Sequence, residues 1–137
     1  MTSQAEHAAF SAPFWSAIEE GRLVVQRCTA CRHEQLYPRR RCLKCGGADL
    51  GFDMLSGDGH LYTFTVIRKY PPSQFVDDLP YVLGVIRLIE GPRLLTRVIN
   101  STILELVCEM PMSFSPSVVH GKLLPTFEPS ARADERE

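Results

Sequence analysis

Four of the five cysteines in this 137-residue chain form two like pairs, Cys28-x2-Cys31 and Cys42-x2-Cys45, ten residues apart. A Cys-x-x-Cys turn aims two thiolates at one point, and two such turns complete a tetrahedron with Zn–S bonds of about 2.3 Å. A single pair would suit redox exchange, whereas two pairs this close read as a metal site. A disulfide framework needs an oxidising compartment. The N-terminus, MTSQAEHAAF, lacks the basic region and apolar core of a secretory signal, so cytoplasmic residence is the expectation. Iron, as held by four cysteines in rubredoxin-type electron carriers, is the rival ion, and sulfur ligation alone does not separate the two. The reading adopted is Zn2+ at Cys28, Cys31, Cys42 and Cys45. A four-thiolate site has no open position for water, so its role is structural and not catalytic.

Charge concentrates around these cysteines. Residues 22–45 carry seven basic side chains against Glu34 alone, while the whole chain has a formal net charge of −1. Arg39, Arg40 and Arg41 stand together before the second pair and suit bidentate contact with phosphate groups; the competing reading is a solvated cluster offsetting zinc thiolates. Arg68 and Lys69 are a second phosphate candidate. His33 is an exposed or supporting group beside a ligand set that is already complete. Cys108, in an apolar Leu-Val-Cys run, reads as a buried inert thiol. There is no Ser–His–Asp arrangement, no readable acid pair and no G-x-x-x-x-G-K phosphate loop. Ser56-Gly57-Asp58-Gly59 precedes a strand and reads as a bend or bulge.

The elements that must position these groups follow from pattern. Residues 1–21 form an N-terminal helical segment, with Ser11 as cap, a helix over about 12–20, Pro13 in its first turn and Gly21 as its stop. Phe14, Trp15 and Ile18 share one side of that helix, either as docking anchors for another chain or as a face packed on their own domain. Residues 22–50 are the metal module, with a strand at Leu23–Val25 and a return strand at Gln35–Tyr37. Residues 51–128 alternate as β structure: a strand over 51–56, another from His60 to Ile67, then a loop over 71–80 carrying Phe75 and Val76. A hairpin of 81–90 and 93–100 turns at Gly91-Pro92, and strands over 112–119 and 123–127 close the region. Five or six strands in this span suit a small Greek-key barrel of the OB type. Residues 129–137 are a tail. No apolar run approaches the ~20 residues of a membrane span.

The order of these parts resembles a known family. A helix carrying Phe14-Trp15 leads into RCTAC, YPRRRCLKC and SGDGHLYTFTVI, then IEGPRLLTRV and LPTFEPS. This resembles the small zinc-ribbon plus OB-fold proteins of acyl-CoA metabolism, long catalogued as a domain of unknown function. They occur as partners of thiolase-like enzymes and as fusions to or companions of MaoC-type enoyl-CoA hydratases. The resemblance implies a rubredoxin-like zinc ribbon followed by a five-stranded OB barrel. It further implies a non-catalytic accessory subunit, hetero-oligomeric with a thiolase-like enzyme that makes or cleaves carbon–carbon bonds. Such a subunit stabilises its partner or helps bind the acyl-CoA, whose phosphates Arg39, Arg40, Arg41, Arg68 and Lys69 are then placed to contact; this chain's own anchors, Phe14, Trp15, Ile18 and Phe75, are the interface candidates. The alternative is a single-stranded nucleic-acid-binding OB protein. Residues 51–128 hold six basic and eight acidic side chains, which argues against the positive track that such a groove needs.

Overall fold

Pro13 presets φ for the first turn of helix α1 (Ala12–Glu19) in the computed structural model, which describes residues 10–130. Ser11 does not cap through its hydroxyl; its carbonyl accepts the N–H groups of Phe14 (3.1 Å) and Trp15 (3.3 Å). The helix stops at Gly21, whose φ of +81° lets Arg22 N–H return to Ala17 C=O at 2.8 Å. That geometry favours a residue with no Cβ.

Strand β1 (Leu23–Cys28) is the centre of a three-stranded antiparallel sheet, flanked by β2 (Glu34–Gln35) and β3 (Leu50–Leu55). The return strand is shorter than its expected span over 35–37, because the chain bends at Leu36 and Tyr37, ahead of Pro38. Read in sequence on the barrel side of residue 51, β3 instead pairs along its whole length with β1, from Leu23 opposite Leu55 to Cys28 opposite Leu50. The ribbon therefore owns that strand, and the barrel begins at β4 (Asp58–Ile67).

The barrel closes in the order β10-β6-β5-β4-β7. Its long hairpin is β5 (Tyr81–Leu88) and β6 (Arg93–Val98), joined at Gly91-Pro92 as the sequence predicts. Strand β7 (Pro111–Phe114) is shorter than the expected 112–119, and a separate two-stranded flap of β8 (Ser117–Val119) and β9 (Lys122–Leu124) follows it. Pro116 and Pro125 cannot donate to a ladder, and they divide the predicted pair of strands into these pieces plus β10 (Phe127–Pro129). Phe127, fully buried, closes the barrel by pairing with both Val98 of β6 and Phe114 of β7. One apolar core runs through both modules, from Phe14, Ile18, Leu23 and Val25 to Leu61, Ile86, Leu94 and Met112. No helix among the described residues is long and apolar enough to cross a membrane.

Candidate metal centre and apolar cavity

The two cysteine turns are built alike. Cys28 N–H donates to His33 C=O (2.9 Å) and Arg32 N–H to Cys28 C=O (2.9 Å); Cys42 N–H donates to Gly47 C=O (2.8 Å) and Gly46 N–H to Cys42 C=O (2.9 Å). The residue after each pair takes a left-handed φ, +79° at Gly46 and +68° at Arg32, so glycine relaxes one turn and arginine strains the other. All four Sγ atoms lie within 4.8 Å of one another, with Cys28–Cys45 at 3.6 Å and Cys31–Cys42 at 3.5 Å. Bonds of about 2.3 Å to one tetrahedral ion require S···S edges of about 3.8 Å, so the donor set fits zinc.

Backbone N–H groups aim at the sulfurs, from Lys44 (3.3 Å) and Cys45 (3.5 Å) to Cys42 Sγ and from Gly47 to Cys45 Sγ (3.4 Å). Burial pushes the Cys42 thiol up, but these donors and the neighbouring thiols outweigh it and bring it down to about 7. The N–H of Cys31 leads the contacts that lower Cys28. At Cys31 the N–H of His33 pulls down, yet burial and the three other thiols push it up to about 11. Four thiols this close hold their protons unevenly, and a divalent cation that displaces those protons resolves the competition.

Two buried glutamines hold the approach to the second turn. Gln26 Oε1 accepts Arg39 N–H (2.9 Å) and Gln35 Nε2 (2.7 Å), and Gln26 Nε2 donates to Arg39 C=O (2.9 Å). Gln35 also donates to Arg41 C=O (3.2 Å) and accepts Leu43 N–H (3.0 Å). These bonds use the backbone of the arginine run, so its side chains face outward and separate. The Arg40 guanidinium lies 4.8 Å over the Phe10 ring, while Arg41 donates to Gly46 C=O at 3.2 Å. His33 is half-buried beside the site and contributes its carbonyl, as above. The two glutamines are a feature that sequence reasoning missed; two buried amides on paired strands are the signal, and it needs the register to be seen.

Between ribbon and barrel lies an apolar cavity of about 620 Å³, bounded by Trp15, Tyr37, Tyr81, Leu83, Leu95 and Arg97. Phe75 and Lys69 also line it. Trp15 stacks on Tyr37 (6.5 Å between centroids, 15° between planes), and Tyr37 Oη donates to Leu95 C=O at 2.8 Å, joining the modules. Burial pushes the Tyr37 phenol up to about 12. The 71–80 loop folds back as a 3-10 helix (Ser73–Asp78), with Phe75 edge-on to Tyr81 at 5.8 Å. Asp78 ties that loop down, to Arg97 (3.1 Å) and to His120 (2.8 Å) on the flap. Its hydrogen bond to His120 leads, with Arg97, in holding its carboxyl below the ordinary value against the opposing effect of burial.

The interface and phosphate candidates thus separate. Phe14 and Ile18 are buried in their own core, which corrects the reading of them as docking anchors. Trp15, Phe75 and Lys69 all line the cavity, whereas Arg68 and the Arg39–Arg41 run do not. Cys108 is exposed, contrary to the expectation of a buried thiol: the chain turns at Cys108-Glu109, with Glu109 at φ +74°, and buries Leu106 instead.

Comparison with known proteins returns the same two modules. Residues 15–51 match "ChsH2, rubredoxin-like zinc ribbon domain" and residues 54–115 match "ChsH2, C-terminal OB-fold domain". The chain is 32% identical over 124 residues to the "Probable enoyl-CoA hydratase alpha subunit" of Thermomonospora curvata, covering 89% of this chain and 38% of that protein. It is 35% identical over 80 residues to a "DUF35 domain-containing scaffold protein" of Pyrococcus furiosus, covering 58% of this chain and 57% of that one. It therefore spans less than two thirds of the length of either relative. Among solved structures, the "Ltp2-ChsH2(DUF35) aldolase" superposes with a TM-score of 0.76 at 29% identity, over 90% of this chain and 96% of that one.

Proposed function

The chain belongs to the ChsH2/DUF35 family of zinc-ribbon plus OB-fold proteins, and from that premise we propose that it is a non-catalytic accessory subunit of a thiolase-like acyl-CoA enzyme, holding part of the acyl thioester for its partner. The observation that carries this reading is the cavity of about 620 Å³ between the modules. Its size is that of a small-molecule site, its walls are apolar and aromatic, and few polar groups converge on it. Such a pocket takes an apolar chain. Lys69, exposed on the lining, has no ion-pair partner among the described residues and suits the polar end of a thioester. The partner would supply the nucleophile and bases, since the described residues bring no catalytic constellation together. The names of the relatives agree with such a role: a hydratase subunit, a scaffold protein, and a chain solved with an aldolase.

Trp15, the only tryptophan, lines the cavity and reports on it. Titration of the zinc-loaded full chain with acyl-CoA esters of increasing chain length is expected to change Trp15 emission saturably, and Leu83→Glu to abolish the change. Co-expression with a thiolase-like enzyme of the same organism is expected to give one complex on size exclusion, with carbon–carbon bond chemistry that needs both chains. No saturable response, together with separate elution and a partner fully active alone, would overturn the reading.

A further inference from the structure

The outer face of the barrel continues away from the cavity along β5 and β6, and its far end is cationic. In the β5–β6 register, Leu83 stands opposite Arg97, Val85 opposite Leu95 and Arg87 opposite Arg93. In the β4–β5 register, His60 stands opposite Arg87. Directly opposed residues of antiparallel strands project on the same side, with Cβ atoms about 4.5–5.5 Å apart. Three neighbouring strands thus set His60, Arg87 and Arg93 in one row. The ladder of β4 slips between Leu61 and Thr63, so Tyr62 is an extra residue thrown onto the surface. Its ring collects both guanidinium groups, Arg93 at 4.2 Å and Arg87 at 5.8 Å from the centroid.

Like charges placed directly opposite destabilise a sheet, and here only half of the repulsion is answered. Arg87 pairs with Glu109 at 2.6 Å, whereas Arg93 is exposed and has no carboxylate partner among the described residues. The apolar floor of Val85 and half-exposed Leu95 joins this row to the cavity. From Leu83 to Arg87 is four residues of strand, about 13 Å at about 3.3 Å each.

We propose that Tyr62, Arg87 and Arg93 form a binding site for the phosphorylated nucleotide end of a coenzyme A thioester whose acyl chain lies in the cavity. The proposal rests on the acyl-thioester reading above for the orientation of the ligand, not for the anion site itself. Arg93 supplies unpaired N–H donors in a fork that matches phosphate oxygens. Tyr62 supplies a flat surface beside them. Leu95 and Val85 floor the extended pantetheine arm between the two ends. Bound phosphate also answers the opposed arginines, so the sheet tolerates a repulsive pair that its ligand neutralises.

The test uses the zinc-loaded full chain and three probes: adenosine 3′,5′-bisphosphate, an acyl-pantetheine without nucleotide, and the matching acyl-CoA. Wild type is expected to bind the bisphosphate saturably, and Arg93→Ala to weaken it about ten- to hundredfold, as expected for lost charged hydrogen bonds. Arg93→Lys is expected to weaken it less, and acyl-pantetheine binding to be unchanged by either substitution. Without ligand, the melting temperature of Arg93→Ala is expected to equal or exceed that of wild type, which a merely structural Arg93 would not allow. Absent bisphosphate binding, or binding indifferent to Arg93, overturns the site whatever the cavity does. Bisphosphate binding without any acyl-pantetheine binding keeps the site and overturns the acyl-cavity reading. Tighter, Arg93-dependent binding of an oligothymidylate than of the bisphosphate overturns the assignment of the ligand.

Discussion

Replacing Gln26 with methionine keeps the length of a side chain that is 1% exposed and removes its three hydrogen bonds, to Arg39 N–H, Arg39 C=O and Gln35 Nε2. Each polar group left buried without a partner costs about 1–3 kcal/mol. Gln35 keeps its bonds to Arg41 and Leu43, and the Arg39 side chain is exposed, so water reaches part of that backbone. The expected loss is therefore about 2–4 kcal/mol, near the lower end for three groups. Against a total of about 5–15 kcal/mol for a domain, that is a large fraction. It falls on residues 39–43, which deliver Cys42 to the metal. Zinc affinity should drop by about one and a half to three orders of magnitude, at about 1.4 kcal/mol per tenfold. Competition with a zinc-chelating indicator measures the affinity, and thermal melting with and without chelator measures the stability. A Gln26→Met protein that melts within about 0.5 kcal/mol of wild type and competes equally for zinc would refute the assignment of a supporting role to Gln26.

Changing Cys45 to alanine should release the metal and unfold the ribbon, since binding and folding are coupled in so small a module; metal analysis and circular dichroism read this out. In the zinc-loaded protein, iodoacetamide should label exposed Cys108 alone and reach all five cysteines once a chelator is added, by intact mass. A Cβ at Gly59 would stand 2.6 Å from Arg87 C=O and 3.0 Å from Ile86 Cγ2, so Gly59→Ala should cost about 1–3 kcal/mol in denaturant melts. The Asp78 carboxyl is depressed below its ordinary value of 3.8, so its contribution to stability is present above that pH and is lost as pH falls through the lower folded value. Wild type should therefore lose more stability than Asp78→Asn on acidification below about pH 4, and parallel curves would contradict the tie between loop and flap.

Local signals were legible where one short stretch decides the outcome. The cysteine spacing predicts the thiol cluster, and Pro13 with Gly21 brackets a helix found at Ala12–Glu19. The alternation from His60 to Ile67 and the Gly91-Pro92 turn are met by β4 and the β5–β6 hairpin. What stayed hidden depends on partners distant in the chain. Burial of Phe14 and Ile18 requires the ribbon strands beneath them, and exposure of Cys108 requires a turn that Leu106 wins. The cavity gathers residues from position 15 to position 126, and no window of sequence contains it. The row of His60, Arg87 and Arg93 exists only in the register of three strands, where a slip of one residue would scatter it.

The placement of Tyr37 has a thermodynamic consequence. It lies five residues before a zinc ligand, yet it walls the cavity and donates to the barrel at Leu95. The ion and whatever fills the cavity then act on one shared piece of chain, and any effect of one on the equilibrium binding of the other is returned by the same factor. Filling the cavity should tighten metal binding in equilibrium competition with a chelator, and stripping the metal should weaken ligand affinity by a matching factor. On the proposed reading, zinc would then bias how firmly this subunit holds its ligand without touching it.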